Sequence, residues 1–104
     1  MNMQRLTSKL AQELANVKTP ELLTRRELTR AIRDAIIAEE GAINQYQAIA
    51  DATDNKEVAK VLNEIGDEER VHVGELQRLL NILLKDEEGL LEEGAGEVDD
   101  ALGE

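Results

Sequence analysis

Three residues that can bind a metal ion interrupt an otherwise apolar helical pattern. They are Glu39, Glu69 and His72, and they lie within residues 24–84. The apolar residues around them recur at alternating steps of four and three, the heptad spacing of helices that pack nearly parallel. A carboxylate in such a seam is costly unless a partner compensates its charge. Three such groups in one seam predict a shared partner, and their donor atoms suit iron or manganese.

The pattern predicts two long helices joined at residues 52–55. The inward positions of the first helix are Leu28, Ile32, Ala35, Glu39, Ala42, Tyr46 and Ile49. Those of the second are Val58, Leu62, Ile65, Glu69, His72, Leu76, Leu79 and Leu83. Thr24 with Glu27 is a capping-box pattern that predicts the start of the first helix, and Asp54 with Glu57 predicts the second in the same way. We expect the first helix to end near Ala52 and the second near Leu84.

The turn between the helices brings the three polar residues to one level. Glu39 lies fifteen residues before Asp54, and Glu69 lies fifteen after it. In antiparallel helices both then stand roughly 22 Å from the turn, at 1.5 Å rise per residue. His72 follows Glu69 by three residues and therefore shares its face. A Glu facing a Glu-x-x-His is half the ligand set of a di-iron four-helix bundle. Two copies related by a two-fold axis would complete both the bundle and the set.

The composition indicates one small, all-α domain that needs partner chains. The 104 residues include no Cys, Trp or Phe. A lone two-helix hairpin buries too little surface to be stable by itself. The lack of Cys excludes disulfides, thiolate metal sites and cysteine nucleophiles. Because no apolar run resembles a signal peptide or a membrane span, we expect a cytoplasmic protein with no membrane partner.

The acidic charge is concentrated at the end of the chain. Residues 86–104 contain nine acidic residues and no Lys or Arg, and the whole chain carries −11. This charge argues against nucleic acid as a partner. The sequence thus divides into an N-terminal arm (1–23), a helical hairpin (24–85) and an acidic tail (86–104). We expect the tail to be partly disordered and solubilising, with a short third helix near residues 87–93 that ends at the glycines of 94–96.

Two segments resemble a known family. The first segment ends at Tyr46 and reads Ala-Ile-Ile-Ala-Glu-Glu-Gly-Ala-Ile-Asn-Gln-Tyr. The second ends at His72 and reads Asp-Glu-Glu-Arg-Val-His. Both segments resemble the ferritin-like superfamily. Within it the chain is most similar to the encapsulated ferritins, especially to the ferritin-like segment that some archaea carry fused to the encapsulin shell protein. That family spaces its first ligand Glu and the Glu of its Glu-x-x-His thirty residues apart, and places a Tyr seven residues after the first Glu. Glu39, Glu69 and Tyr46 match these spacings.

The resemblance implies a ferroxidase that oxidises Fe(II) with O2 and mineralises the iron. It implies homodimers assembled into a ring-shaped decamer within an encapsulin nanocompartment in the cytoplasm. It also implies that Glu39, Glu69 and His72 are the ligands of a di-iron centre, with Glu39 as the bridge and Tyr46 as a hydrogen-bond partner of a ligand. Ala38 and Gly41 stand where some members carry acids of an iron entry site. No shell-targeting peptide is evident in residues 97–104, so we expect a fragment of a shell fusion, another targeting device, or function without a shell.

Three other functions remain open from the sequence. One is a di-iron peroxidase of the rubrerythrin type, although such proteins usually carry a Cys-rich iron domain. The second is a helical interaction module whose Glu/His cluster binds structural zinc or nothing. The third is a passive iron chaperone. A Glu-x-x-His motif alone would fit a solvated helix edge, but Glu39 at the matching level and Tyr46 one heptad further on favour a metal site.

Overall fold

The computed structural model describes residues 21–104, and this part of the chain consists of three α-helices without any strand. Helix α1 spans Arg25–Ala52, α2 spans Lys56–Leu83 and α3 spans Lys85–Ala101. Helices α1 and α2 pack along each other as an antiparallel hairpin. The predicted all-α fold and its hairpin are therefore confirmed. Most of the predicted N-terminal arm (1–23) lies outside the described residues.

The first helix starts where the capping box predicts. The Thr24 hydroxyl accepts a hydrogen bond from the Glu27 backbone N–H at 3.1 Å, and the Glu27 carboxylate accepts one from the Thr24 N–H at 3.0 Å. Both bonds satisfy N–H groups that have no partner within the helix. The Thr24 backbone N–H, and to a smaller extent the Thr24 side chain, favour the ionised carboxylate and lower the pKa of Glu27 below its ordinary value near 4.5.

The second helix starts one residue later than predicted, and Asn55 rather than Asp54 caps it. The Asn55 side-chain oxygen accepts a hydrogen bond from the Val58 N–H at 3.1 Å. The Thr53 hydroxyl accepts from the Asn55 N–H at 3.1 Å and holds the connection in place. Asn and Asp are about equally good N-caps. The choice of Asn55 over Asp54 is therefore set by the length of the connection between the two helices.

The described chain is a flat layer of helices rather than a rounded domain. Its extents are 75 × 46 × 15 Å, and its radius of gyration is 21.8 Å. A single helix with its side chains is roughly 10–12 Å across, so the molecule is about one helix thick. No large side chain within residues 21–104 is fully buried. The hairpin therefore lacks the core that an isolated domain would need.

The residues buried between α1 and α2 lie beside the predicted seam. They are Thr29, Ile43, Ala50, Gly66 and Leu80, and they recur at multiples of seven along each helix. Within one copy most of the seam positions are half-buried, none is fully buried, and Leu28, Ile49, Val58 and Leu79 are exposed. The buried set includes a threonine, an alanine and a glycine, which a search for apolar residues passes over. The seam instead forms one open side of the hairpin.

The third helix is confirmed but is longer than predicted. It begins after Leu84, whose backbone (φ −127°, ψ 68°) breaks the path of α2, and it continues through Gly94 and Gly96. The loosening expected at residues 94–96 is wrong. Each glycine costs roughly 1 kcal/mol of helix propensity. The acids of its first turn, Asp86, Glu87 and Glu88, favour the helix electrostatically.

Helix α3 has little contact with the hairpin. Its few backbone contacts with another helix are with α2. Glu87 in its first turn forms an ion pair with Arg33 of α1, and the Arg25 guanidinium donates to the Leu83 carbonyl nearby. None of the helices in residues 21–104 has a stretch apolar and long enough to cross a bilayer.

Candidate metal centre

The hairpin brings Glu39, Glu69 and His72 together. Glu39 lies in the middle of α1, and Glu69 and His72 lie one turn apart in the middle of α2. One potential ligand atom from each side chain lies within 4.8 Å of the other two. This proximity is the one predicted from the equal distances of Glu39 and Glu69 from the turn. It depends on helix lengths and register, and no loop residue takes part.

The two carboxylates approach the same ring nitrogen of His72. Nδ1 lies 3.3 Å from Oε2 of Glu69 and 3.7 Å from Oε1 of Glu39. These separations exceed a strong hydrogen bond and are of the size that separates ligands around one cation. An ion between them would meet two carboxylate oxygens and one imidazole nitrogen. Nδ1 is therefore the nitrogen that is placed to act as a ligand.

The site opens towards solvent on one side of the hairpin. The side chain of Glu69 is 18% exposed, that of Glu39 is 27% exposed and that of His72 is 50% exposed. Exposure thus increases from the floor, near the contact between the helices, to the rim. A cation held here by one copy would keep coordination positions free on the open side, since iron commonly takes more than three ligands in such bundles.

A fourth polar residue, Glu75, lies at the rim. A shallow depression over the site is lined by Glu39, His72, Glu75, Leu76 and Leu79. Glu75 is not among the predicted seam residues, although it follows His72 by three residues, the same spacing that connects Glu69 with His72. A search for further acids at that spacing would have found it.

The border of the site is apolar along both helices. The exposed aliphatic side chains on this side are Leu28, Ile49, Val58, Val61 and Leu79. A second depression on α2 is lined by Glu57, Val58, Val61 and Leu62. An apolar band around a polar centre is typical of a surface that another protein covers. Four of these five side chains belong to the predicted seam, and Val61 lies beside it.

Tyr46 lies on the same side of α1 as Glu39 and is half-buried. Seven residues separate them, or about 10 Å along the helix axis. Within residues 21–104, the Tyr46 hydroxyl forms no hydrogen bond to Glu39 or to another side chain. Its predicted role as a hydrogen-bond partner of a ligand therefore stays a prediction. Glu40, Asp67 and Glu68 are exposed, as expected from their positions.

The donor set fits iron. Two carboxylates and one neutral imidazole provide hard oxygen ligands and a borderline nitrogen ligand, which suit Fe(II) and also Mn(II). The absence of Cys from the whole sequence leaves no thiolate that would select a softer ion. One copy supplies enough donors to hold one ion in an open coordination sphere.

Comparison with known proteins agrees with this geometry. The family model described as rubrerythrin matches residues 30–100. A ferritin-like–encapsulin shell fusion protein of Pyrococcus furiosus is 39% identical over 80 residues, which is 77% of this chain and 23% of that protein. The encapsulin nanocompartment cargo protein EncC of Myxococcus xanthus is 49% identical over 53 residues, or 51% of this chain and 41% of that protein. The chain thus spans less than half the length of either relative.

A solved structure matches nearly the whole described fold. The crystal structure of the encapsulated ferritin domain from Pyrococcus furiosus superimposes with a TM-score of 0.80 at 34% identity, covering 86% of this chain and 92% of that one. The family match includes both arms of the hairpin, the three converging side chains and most of α3. The chain therefore belongs to the rubrerythrin family of ferritin-like proteins, among the encapsulated ferritin domains.

Proposed function

We propose that two copies of this chain form a di-iron ferroxidase centre between them. The observation that carries the proposal is the open half-site: Glu39, Glu69 and His72 converge, and the side on which further ligands are needed faces solvent. A second copy that packs on this side by a two-fold rotation would add the same three residues. The combined set of four carboxylates and two imidazoles is the one used by ferritin-like di-iron proteins.

The apolar band supports this mode of association. Its aliphatic side chains lie along the same side as the half-site and are between 38% and 52% exposed within the described chain. Burying them against a second copy would contribute roughly 25 cal/mol for each Å² removed from water. It would also exclude water from the centre, which strengthens the attraction between the carboxylates and the cations.

Fe(II) is the substrate in this proposal, and each residue has a defined task. Glu39 and Glu69 would bind Fe(II) through charge, and Glu39 would bridge the two ions. His72 would bind through Nδ1 as neutral imidazole. Two Fe(II) ions release two electrons on oxidation to Fe(III), and these electrons reduce one O2 to hydrogen peroxide with the uptake of two protons. Tyr46 would donate a hydrogen bond to one of the ligands.

The relatives suggest where the reaction takes place. One is named as a fusion to an encapsulin shell and another as an encapsulin nanocompartment cargo protein. We extend this association to the present chain and propose that it works within an encapsulin shell in the cytoplasm, where the oxidised iron is mineralised and stored. A ring of dimers, with ten copies, is the assembly that we expect there.

The decisive experiment is aerobic addition of Fe(II) to the protein, with O2 consumption and Fe(III) absorbance as the readouts. Glu39→Ala and His72→Ala should lose rapid oxidation, by at least about 100-fold, because each removes two ligands from a shared centre. Glu40→Ala is the matched control, since Glu40 is exposed beside Glu39 on the same helix. Equal rates in Glu39→Ala and Glu40→Ala would contradict the ligand assignment.

The same assay separates a second candidate, the rubrerythrin-type peroxidase, which the name of the matching family model favours. Under that alternative, Fe(II) oxidation under argon would depend on added hydrogen peroxide and would proceed over many turnovers, whereas O2 alone would react slowly. Retention of metal without turnover in either case would instead favour a chaperone or a structural zinc site.

A further inference from the structure

Glu75 is a further acid on the open side of the metal centre, and the proposed ligand set gives it no task. It follows His72 by three residues on α2, just as His72 follows Glu69. Three residues correspond to about 4.5 Å along the helix axis and to a rotation of about 60° around it. Glu69, His72 and Glu75 therefore form a short spiral along α2, here called the α2 row.

The α2 row leads from the floor of the centre to solvent. The side chain of Glu69 is 18% exposed and that of His72 is 50% exposed. Glu75 is exposed as well, and it lines the depression over the site together with Glu39 and His72, whereas Glu69 does not line it. An ion that enters from solvent through this depression would therefore meet Glu75 before it meets Glu69.

Glu75 lies outside the group of side chains that can share one ion. Within the described chain, the group whose potential ligand atoms lie within 4.8 Å of one another contains Glu39, Glu69 and His72 but not Glu75. Helical side chains lean towards the N-terminus of their helix, so the Glu75 carboxylate leans over the turn that carries His72. Glu75 is thus placed to hold a cation beside the centre rather than in it.

The remaining walls of the depression are apolar. They are formed by Leu76 and Leu79. Within residues 21–104 the Glu75 carboxylate forms no ion pair with a Lys or Arg, although Arg78 follows it by three residues. Apolar walls of low dielectric constant focus the field of a charge in a cleft, so Glu75 attracts cations there more strongly than it would on a flat surface.

The size of the depression suits an ion that still carries water. Its volume is about 270 Å³. A water molecule occupies roughly 30 Å³ in the liquid, so a cation with a full shell of water fits inside. On α1 the seam residues about one turn before and after Glu39 are Ala35 and Ala42, which offer no ligand. The only carboxylates that line the depression are therefore those of Glu39 and Glu75.

We propose that Glu75 is a capture residue, which binds hydrated Fe(II) at the rim and passes it to His72 and Glu39. The inference rests on the proposed function, because it concerns how the substrate of that centre arrives. It goes beyond that function because the rate of loading then depends on a residue that is not a ligand of the loaded centre. Capture exchanges water for a carboxylate oxygen and involves no change in the charge of the iron.

Oxidation kinetics test the capture role. At limiting Fe(II), Glu75→Gln should oxidise iron about fivefold more slowly, since one attractive charge is lost, while the rate at saturating Fe(II) stays unchanged. Glu75→Asp should retain most of the rate at limiting Fe(II), and Glu75→Lys should be slower than Glu75→Gln. Glu68→Gln is the matched control, because Glu68 is an exposed acid of α2 outside the depression. Equal rates at limiting Fe(II) in Glu75→Gln and Glu68→Gln would overturn the proposal.

Anaerobic stopped-flow mixing with Co(II), followed by visible absorbance, measures capture without oxidation. The association rate constant should fall about fivefold in Glu75→Gln, and the amount of Co(II) bound at saturation should not change. The difference between wild type and variant should nearly vanish at about 1 M salt, where charges are screened beyond roughly 3 Å. A difference that persists in salt, or fewer Co(II) ions at saturation, would show that Glu75 is a ligand or holds His72 in place, and would overturn capture.

The two proposals can fail separately. Co(II) binding at a rate that depends on Glu75, in a protein that does not oxidise Fe(II), would support capture and contradict the ferroxidase. Rapid oxidation of Fe(II), with the same dependence on Fe(II) concentration in wild type and Glu75→Gln, would support the ferroxidase and contradict capture.

Discussion

At the scale of residues, the centre is defined by how many donors one chain provides. Glu39, Glu69 and His72 are the three that converge, and the chain contains a single histidine. A di-iron site of the ferritin-like kind uses two histidines. In the proposed function, one copy would therefore supply half of the ligands of such a centre, and Glu75 lies at the rim of the depression over the site.

The capping box gives a prediction that concerns single residues outside the site. The Thr24 bonds favour the ionised carboxylate of Glu27 and so lower its pKa in the folded chain. Their stabilising effect is therefore fully present above the ordinary pKa near 4.5 and is lost as the pH falls through the folded value. Thr24→Val should raise the pKa of Glu27 part of the way to normal, because the backbone bond remains, while Thr24→Ser should preserve it.

Carbon-detected NMR titration of the Glu27 carboxyl group measures this effect directly. Because Glu27 is exposed, the shift is a test of local geometry and not of overall stability. The same pKa in the wild type and Thr24→Val would show that the Thr24 hydroxyl does not act on the Glu27 carboxylate.

At the scale of elements, the hairpin places the site through its register, and the connection between α1 and α2 fixes that register. Asn55 caps α2, and Thr53 holds Asn55. Asn55→Ala should therefore lower the free energy of unfolding by about 1 kcal/mol, the usual value of an N-cap. Asp54→Ala should change it by less than about 0.5 kcal/mol, as expected for an exposed residue without such a bond.

Urea unfolding of both variants, at one fixed protein concentration, compares the two positions. The assignment of the cap to Asn55 would be refuted by a larger loss in Asp54→Ala. The comparison is a sensitive one because the two residues are adjacent and both have side-chain oxygens that can cap a helix.

The bounds of a helix can be predicted from the sequence where only one residue pattern fits its start or its end. The start of α1 was predictable because Thr24 and Glu27 form the one plausible box there. The cap of α2 was not, because Asp54 and Asn55 compete with similar propensity. The buried positions do not follow from the sequence because Thr29 and Gly66 carry no apolar signal, whereas their neighbours Leu28, which is exposed, and Ile65, which is half-buried, do. The length of α3 does not follow from the sequence because Gly94 and Gly96 suggest that the helix ends there. The helix-forming residues around them are sufficient to continue it.

The site itself was more predictable than the packing around it. The equal distances of Glu39 and Glu69 from the turn depend only on helix rise, and an error of one residue in the cap changes them little. Which face is buried in the hairpin depends on small differences between neighbouring apolar rows, which a reading of single helices does not resolve.

At the scale of the whole molecule, metal binding and association should be linked. If each copy provides half of a centre, Fe(II) binds the dimer better than the monomer. Fe(II) at about 100 times its dissociation constant should then stabilise the dimer by roughly 2.7 kcal/mol, which is about a 100-fold decrease in the dissociation constant. Anaerobic sedimentation equilibrium with and without Fe(II) measures this change, and His72→Ala is the control in which it should vanish.

A monomer that remains a monomer while it retains two Fe(II) ions would contradict the shared centre. The outcome is independent of oxidation because O2 is absent. It therefore tests the arrangement of the ligands even if the physiological oxidant is not O2.

The thinness of the described chain also bears on how the protein reaches its working state. A layer 15 Å thick, with no large side chain fully enclosed, gives a newly made chain little to hold it together before it meets another. Its refolding from denaturant should accordingly follow second-order kinetics, with a half-time that shortens as the concentration rises. Chains that have not associated would be open to proteolysis. Degradation in the cell would then remove unassociated subunits and leave those that have formed a shared centre.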